Sequence, residues 1–179
     1  MEAFSTQRLS MREFTKQDAP FLYSLMNSEG WLQYIGNRNI NSLLDAESYL
    51  KTHYLGSYKQ HGFGAYVVML KEHSTPIGNC GLYKRDTLSY PDLGFAFLPD
   101  YFGKGYAFEA AQAVVKYASE ILELPKLYAI TLHENQRSIH LLEKLAFRNI
   151  GETKLKSDGE ELLLFSKDLQ PSENIIAKK

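Results

Sequence analysis

One run of apolar residues constrains the fold more than any other. Ala107, Ala110, Ala111, Val114, Val115, Ala118, Ile121 and Leu122 recur at intervals of three or four, the period of a helix with one buried face. That face is mostly alanine and valine, so the helix backbone can lie close to whatever it covers. The residues before it are strand-like: 63–70, 76–84 and 92–98, the first two joined by a charged turn at 71–75. Gly78, Gly81 and Gly94 fall inside these runs, and a glycine within a strand marks a bulge or a close backbone approach. A small-faced helix laid against a sheet is therefore the centre of the expected fold.

The flanks complete an alternating frame. Residues 8–14 alternate, with Leu9, Met11 and Glu13 on one side. Thr15 reads as an N-cap for a helix carrying Phe21, Leu22, Leu25 and Met26, which Gly30 ends. Residues 31–41 read as loop or short helix, and a second helix covers 43–58, with Ser42 or Asn41 near its cap. Pro125 stops the small-faced helix. A strand at 126–132, a helix at 136–145 and a hairpin at 147–155 and 160–169 follow, the hairpin turning at Ser157-Asp158-Gly159. The order β-α-α-β-β-β-α-β-α-β-β implies an α/β or α+β layer structure, with helices covering a central sheet. Residues 1–169 read as one domain, and 170–179, with Pro171, Ser172, Asn174 and two final lysines, as a flexible tail.

Composition narrows the function. With 20 basic and 21 acidic residues in 179, the formal charge is −1, which argues against a nucleic-acid partner held by net positive charge. Cys80 is the single cysteine, so no intrachain disulfide and no multi-cysteine zinc site is expected. His53, His61, His73, His133 and His140 show no metal spacing, and no metal is expected. No stretch has the roughly 20 apolar residues of a bilayer span, and the first ten residues lack a signal-peptide core. A cytoplasmic protein with no membrane partner is the expectation.

Two segments carry chemistry. In the first, Leu98-Pro99-Asp100-Tyr101-Phe102-Gly103-Lys104-Gly105-Tyr106-Ala107 follows a strand and opens the small-faced helix. Two glycines one residue apart accept positive φ and leave backbone N–H groups open. Such groups at a helix N-terminus form an anion nest that suits a diphosphate, although the same pattern serves as a plain tight turn. It is not a P-loop, because no Gly-Lys-Ser/Thr ending follows, nor a dinucleotide fingerprint, because the third glycine is missing. In the second, Asn135-Gln136-Arg137-Ser138 opens a helix whose Leu141, Leu142 and Leu145 belong to the core. Asn135 caps that helix or faces a cleft, and Ser138 lies one turn along.

Together these segments resemble the GNAT acetyltransferase superfamily, and within it the branch that acetylates α-amino groups of ribosomal proteins. The resemblance runs from Thr6-Gln7-Arg8-Leu9 to Phe165, through Gly103-Lys104-Gly105-Tyr106-Ala107-x-Glu109-Ala110, Asn135-x-x-Ser138 and Leu142-Glu143-Lys144-Leu145-Ala146-Phe147. It implies a mixed, mostly antiparallel, strongly twisted sheet flanked by about four helices. It also implies acetyl-CoA as cosubstrate and an amine acceptor, either a protein N-terminus or a small molecule; a homodimer is open. By resemblance, backbone groups near Phe97 and Leu98 hold the pantetheine arm, Phe102, Gly103, Lys104, Gly105, Tyr106 and Ala107 wrap the pyrophosphate, and Asn135 and Ser138 face the thiol end. Trp31 and Tyr34 fall on the acceptor wall. Three positions depart from the family pattern: Phe102 stands where arginine or glutamine is usual, Leu142 where many members carry a tyrosine that protonates the thiolate, and Ala146 where glycine is usual.

Acetyl transfer needs a neutral amine, an oxyanion stabiliser and a proton for the thiolate. Deprotonating a lysine at pH 7 costs about 4.6 kcal/mol, and an α-amine about 1.1 kcal/mol. Asp92, His133, Glu109 and water are candidate bases, none distinguished, so the low-pKa amine is favoured. Ser138 is the best-placed proton donor once Leu142 is excluded. Cys80 has no histidine partner in view, which favours direct attack over a covalent enzyme intermediate. The rivals are a polyamine or antibiotic acceptor, for which Glu29, Asp45 and Glu47 are too scattered to decide, and a non-catalytic acyl-CoA-binding module.

Overall fold

Strand β3 (Ala65–Leu70) turns Tyr66 and Val68 to one face of the sheet and Ala65 and Val67 to the other, and all four are buried. Tyr66 and Val68 join a core with the small-faced helix, and Ala65 and Val67 join a second core with the N-terminal helices. A sheet covered on both faces forms the middle layer of three. The computed structural model describes residues 2–169, so the expected tail at 170–179 lies outside the described residues.

Around β3 run β1 (Glu2–Ser5), β2 (Leu9–Glu13), β4 (Thr75–Tyr83), β5 (Asp92–Phe97), β6 (Lys126–Thr131), β7 (Arg148–Thr153) and β8 (Leu162–Asp168). The sheet order is β1-β2-β3-β4-β5-β6-β8-β7. Every neighbouring pair is antiparallel except β5 and β6. Strand β1 was not evident in the sequence. It is four residues long, and its Phe4 stacks on Tyr117 at 5.2 Å and meets Tyr66 edge-on at 5.0 Å.

The helices are α1 (Ala19–Met26), α2 (Glu29–Tyr34), α3 (Leu43–Tyr49), α4 (Gly56–His61), α5 (Tyr106–Glu120) and α6 (Gln136–Lys144). A π-helical segment, Leu50–Leu55, joins α3 to α4, so they make five helical runs where the resemblance implied about four. The expected small face of α5 is realised: Ala110, Ala111, Val114 and Ala118 have no exposed surface. Two expected helix ends move. Gly30 lies inside α2, and α1 stops earlier at Asn27, whose side chain donates to the Tyr23 and Ile40 carbonyls. Helix α5 ends before Pro125, with Glu123 at φ 50° and Leu124 N–H returning to Ala118 O, so Ile121 is exposed. The turn before Gly159 forms, with Gly159 N–H on Lys156 O at 3.0 Å, but within a longer loop between β7 and β8.

The three strand glycines mark close approaches. A Cβ at Gly81 would stand 2.2 Å from Gly64 O, and one at Gly94 would meet the Tyr83 ring at 2.7 Å. At Gly78 it would stand 2.5 Å from Ala96 O.

Candidate active site

Strands β5 and β6 share a single ladder position, Asp92 opposite Tyr128, with Tyr128 N–H on Pro91 O at 3.0 Å. Beyond it they diverge, and a cleft of about 1230 Å³ opens between them. Its walls come from β5, β6, α2, the loop before α5 and the first turns of α5 and α6. Strand alternation decides what β5 offers to this opening. Leu98 N–H points toward β4 and bonds Ile77 O at 2.9 Å, so the main chain of Phe95 and Phe97 points the other way, where β6 has left it. These backbone groups can receive the amides of an extended guest. Leu98 itself lines no part of the cleft; its carbonyl takes Tyr101 N–H at 3.0 Å.

At the mouth, Gly103 and Gly105 hold φ of 73° and 79°, left-handed values suited to glycine. Gly105 is the N-cap of α5, so the open N–H groups of the first turn and the positive end of the helix coincide. That arrangement fits a diphosphate. Phe102, Gly103, Gly105, Tyr106 and Ala107 line the cleft, whereas Lys104 lies off its wall, near the face of Tyr101. Phe102 fills a packing role: its ring edge stands 2.9 Å from where a Gly30 Cβ would be, which accounts for that glycine in α2. The Arg137 guanidinium lies 5.4 Å from the same ring and returns a cation to the mouth.

The loop is tied from outside by Arg8, in the connection between β1 and β2. Arg8 donates through Nε to Glu109 Oε2 at 2.6 Å, through its backbone N–H to Oε1 at 2.8 Å and through Nη1 to Lys104 O at 3.0 Å. Its guanidinium also covers the Tyr106 ring at 4.5 Å, and Thr6 Oγ1 adds a bond to Glu109 at 2.5 Å. Burial works against the Glu109 charge, but these donors outweigh it and hold the carboxyl below its ordinary range. Glu109 is a structural anchor rather than a base, and it lines no part of the cleft. His133 also stands outside, paired with Glu152 at 3.2 Å.

Deeper in, Asn135 caps α6 by accepting Ser138 N–H at 3.1 Å, and both residues line the cleft. Leu142, in the position where a tyrosine is usual, is buried against the same cleft. Five residues that sequence reasoning did not single out complete the inner wall: Tyr49, Tyr54, Asn79, Tyr83 and Arg85. Asn79 Nδ2 donates to Tyr54 OH at 3.0 Å. Burial pushes the Tyr54 and Tyr83 phenols up. Arg85 Nε donates to Asp92 Oδ1 at 2.7 Å. Burial raises the Asp92 pKa, and the charge and hydrogen bond of Arg85 offset this only in part. Asp92 Oδ2 has no partner, and neither does Trp31 Nε1; an unsatisfied buried group costs about 1–3 kcal/mol. The one available signal for this wall was the Arg85 and Asp92 pair of opposite charges flanking a turn. Cys80 is fully buried, and burial pushes its thiol up.

Comparisons with known proteins bear on the family and the fold. The family model described as acetyltransferase (GNAT) domain matches residues 8–148. The chain is similar to the uncharacterised N-acetyltransferase YnaD of Bacillus subtilis, 29% identical over 82% of this chain and 83% of that protein. A shorter stretch, 54 residues or 30% of this chain, is 44% identical to part of the spermidine N(1)-acetyltransferase of Escherichia coli, covering 29% of it. Among solved structures, a ribosomal L7/L12 α-N-protein acetyltransferase in complex with coenzyme A superposes with a TM-score of 0.79 at 15% identity, covering 94% of this chain and 98% of that one. That likeness carries the fold alone.

Proposed function

The chain belongs to the GNAT acetyltransferase family, as an acetyl-CoA-dependent N-acetyltransferase, and from that premise we propose that it acetylates the α-amine of a protein or peptide by direct attack. The observation that carries the site assignment is the wedge between β5 and β6, with the anion nest of Gly103 and Gly105 at its mouth. In this reading the main chain of Phe95 and Phe97 aligns the pantetheine amides, and the N–H groups around Gly105 to Ala107 hold the diphosphate. Arg137 and Lys144, both on the cleft wall, add positive charge. Asn135 fixes the start of α6 and so the position of Ser138. The Ser138 hydroxyl, at the inner end, gives a proton to the sulfur as the carbon–sulfur bond breaks. The amine nitrogen forms the new amide bond and loses its proton to Asp92, directly or through water.

The choice of acceptor rests on acidity and charge. An α-amine is already partly neutral at pH 7, and the cleft holds no cluster of carboxylates that would gather a polycation. Its lining has Arg38, Arg85, Arg137, Lys144 and Lys156 against Asp92 and Glu160. One observation favours a second reading, a polyamine acceptor: the local 44% identity with a spermidine acetyltransferase. Thiol release from acetyl-CoA with an N-terminal peptide, an Nα-acetylated lysine peptide and spermidine, from pH 6 to 9, separates the two. The peptide should react fastest at pH 7, with a rate that rises and levels near its own pKa of about 7.8. A preference for spermidine or lysine at neutral pH would overturn the α-amine assignment. Ser138→Ala should lower kcat about tenfold or more, within the range of a lost proton donor, and leave the acetyl-CoA KM nearly unchanged.

A further inference from the structure

The carboxylates of α2 and α3, Glu29, Asp45 and Glu47, line no part of the cleft, and neither does Asp86, next to Arg85 in the chain. The arginines of the same region do. Arg38, between α2 and α3, and Arg85, just past β4, line it together with Tyr49, the last residue of α3. Arg85 stands at the closed end of the wedge, because its partner Asp92 is the residue at which β5 meets β6. Arg38 is close to it: the charges of both guanidiniums act on the Tyr49 phenol and offset part of the rise that burial gives its pKa. The nest of Gly103 and Gly105 lies past the opposite end of β5. A diphosphate seated there leaves the closed end to the acceptor. Among the described residues, the Arg38 side chain has no hydrogen bond or ion pair, the Tyr49 hydroxyl has no hydrogen bond, and Arg85 uses only Nε. These donors are not sealed in the core: Arg38 is exposed, Tyr49 is half-buried, and the Arg85 side chain is 30% exposed where that of Asp92 is 1%.

We propose that Arg38 and Arg85, with the Tyr49 hydroxyl, form a carboxylate-reading subsite, so that the preferred acceptor carries a carboxylate a few bonds from its α-amine. This rests on the acetyl-transfer reading of the same cleft and names the substrate class. A guanidinium and a protonated phenol donate and do not accept, and the flat fork of arginine matches a carboxylate. Charge sets the valence of the guest. Asp92 cancels Arg85 at 2.7 Å, which leaves Arg38 as the one uncompensated cation of this group. A single positive charge suits a monoanion, which is a carboxylate rather than a phosphate. The carboxylate has two sources, a free α-amino acid or an acidic side chain in the second position of a peptide. A polyamine offers only cations and would be repelled by Arg38.

The test measures kcat/KM for two matched pairs, with rates corrected for the neutral fraction of each amine. The first pair is alanyl-aspartyl-alaninamide against alanyl-asparaginyl-alaninamide, and the second is alanine against alaninamide. In the unaltered protein the acidic member of at least one pair should lead about tenfold, or about 1.4 kcal/mol, and the pair that shows it identifies the source. Arg38→Gln should lower that lead about fivefold or more, with an acetyl-CoA Kd within about twofold of the parent. Arg38→Lys, which keeps the charge, should retain part of the lead. A lead confined to the second pair keeps the subsite and moves the acceptor from a peptide to an amino acid. No lead in either pair, or equal losses on both members of the leading pair in Arg38→Gln, would overturn this inference while peptide acetylation stands. If spermidine outpaces every α-amine, the acceptor reading itself fails, and this inference with it.

Discussion

Gly105 holds φ 79°, and a Cβ placed there would stand 3.3 Å from Arg8 Nη2. A valine at this position meets backbone strain, because β-branched residues avoid positive φ, and it also screens the N–H groups that suit a diphosphate. Gly105→Val should therefore raise the acetyl-CoA Kd at least about tenfold, about 1.4 kcal/mol; calorimetry showing unchanged affinity in a folded variant would remove the loop from the site. Cys80 gives the opposite expectation. Its thiol is buried and its pKa raised, so no thiolate is available at neutral pH. Cys80→Ser should keep its turnover, and double-reciprocal plots should intersect; parallel plots with an inactive variant would overturn direct transfer. At this scale the sequence was informative where a residue type has few uses. Gly103, Gly105, Asn135 and Ser138 could be picked out because glycine pairs and helix caps have local signatures. Tyr54, Asn79 and Tyr83 could not, since a buried phenol and a core aromatic read the same until a hydrogen-bond partner from another strand is in view.

Between elements, two ion pairs fix geometry. The Arg8 and Glu109 pair fastens the β1–β2 connection to the start of α5, 101 residues away. Arg8→Ala frees the Lys104 carbonyl and uncovers Tyr106, so the acetyl-CoA Kd should rise about fivefold, about 1 kcal/mol, with kcat little changed. Near the first helix, Asp18 accepts from Arg12 at 2.7 and 2.8 Å and from Thr15 N–H at 2.7 Å. Burial opposes the Asp18 charge, but these bonds outweigh it and its pKa is lowered. A lowered folded pKa gives stability that is present above the unfolded value of about 3.9 and lost as pH falls through the folded one. Denaturant unfolding should show Asp18→Asn less stable than the parent from pH 5 to 7, with the gap closing below about pH 4. Periodicity foretold most strands and helices because one buried face leaves a regular trace. It missed β1, too short for a period, and misplaced the ends of α1 and α5. Those ends are set by Asn27 bonding Ile40 and by Leu124 returning to Ala118, contacts outside the repeat. It also ran straight through the π-helical segment, since a wider turn changes the spacing by only one residue.

In the whole molecule, the sheet is two half-sheets, β1 to β5 and β6 to β8, whose hydrogen-bonded ladders meet only at Asp92 and Tyr128. A ligand that lies along Phe95 and Phe97 fills the gap a continued ladder would close, and so binds the folded state alone. At 100 times its Kd such a ligand stabilises by about 2.7 kcal/mol, which for a chain of this size corresponds to a melting shift of roughly 5–11 °C. Thermal melts across a coenzyme A titration check this, and a flat melting temperature at saturation would count against ligand seating in the wedge. The consequence reaches past catalysis. Proteases act on opened chains in proportion to how often they open, and an empty fork opens more often than a filled one. The persistence of this enzyme in a cell should therefore follow the supply of its own acetyl donor, with starved molecules cleared first.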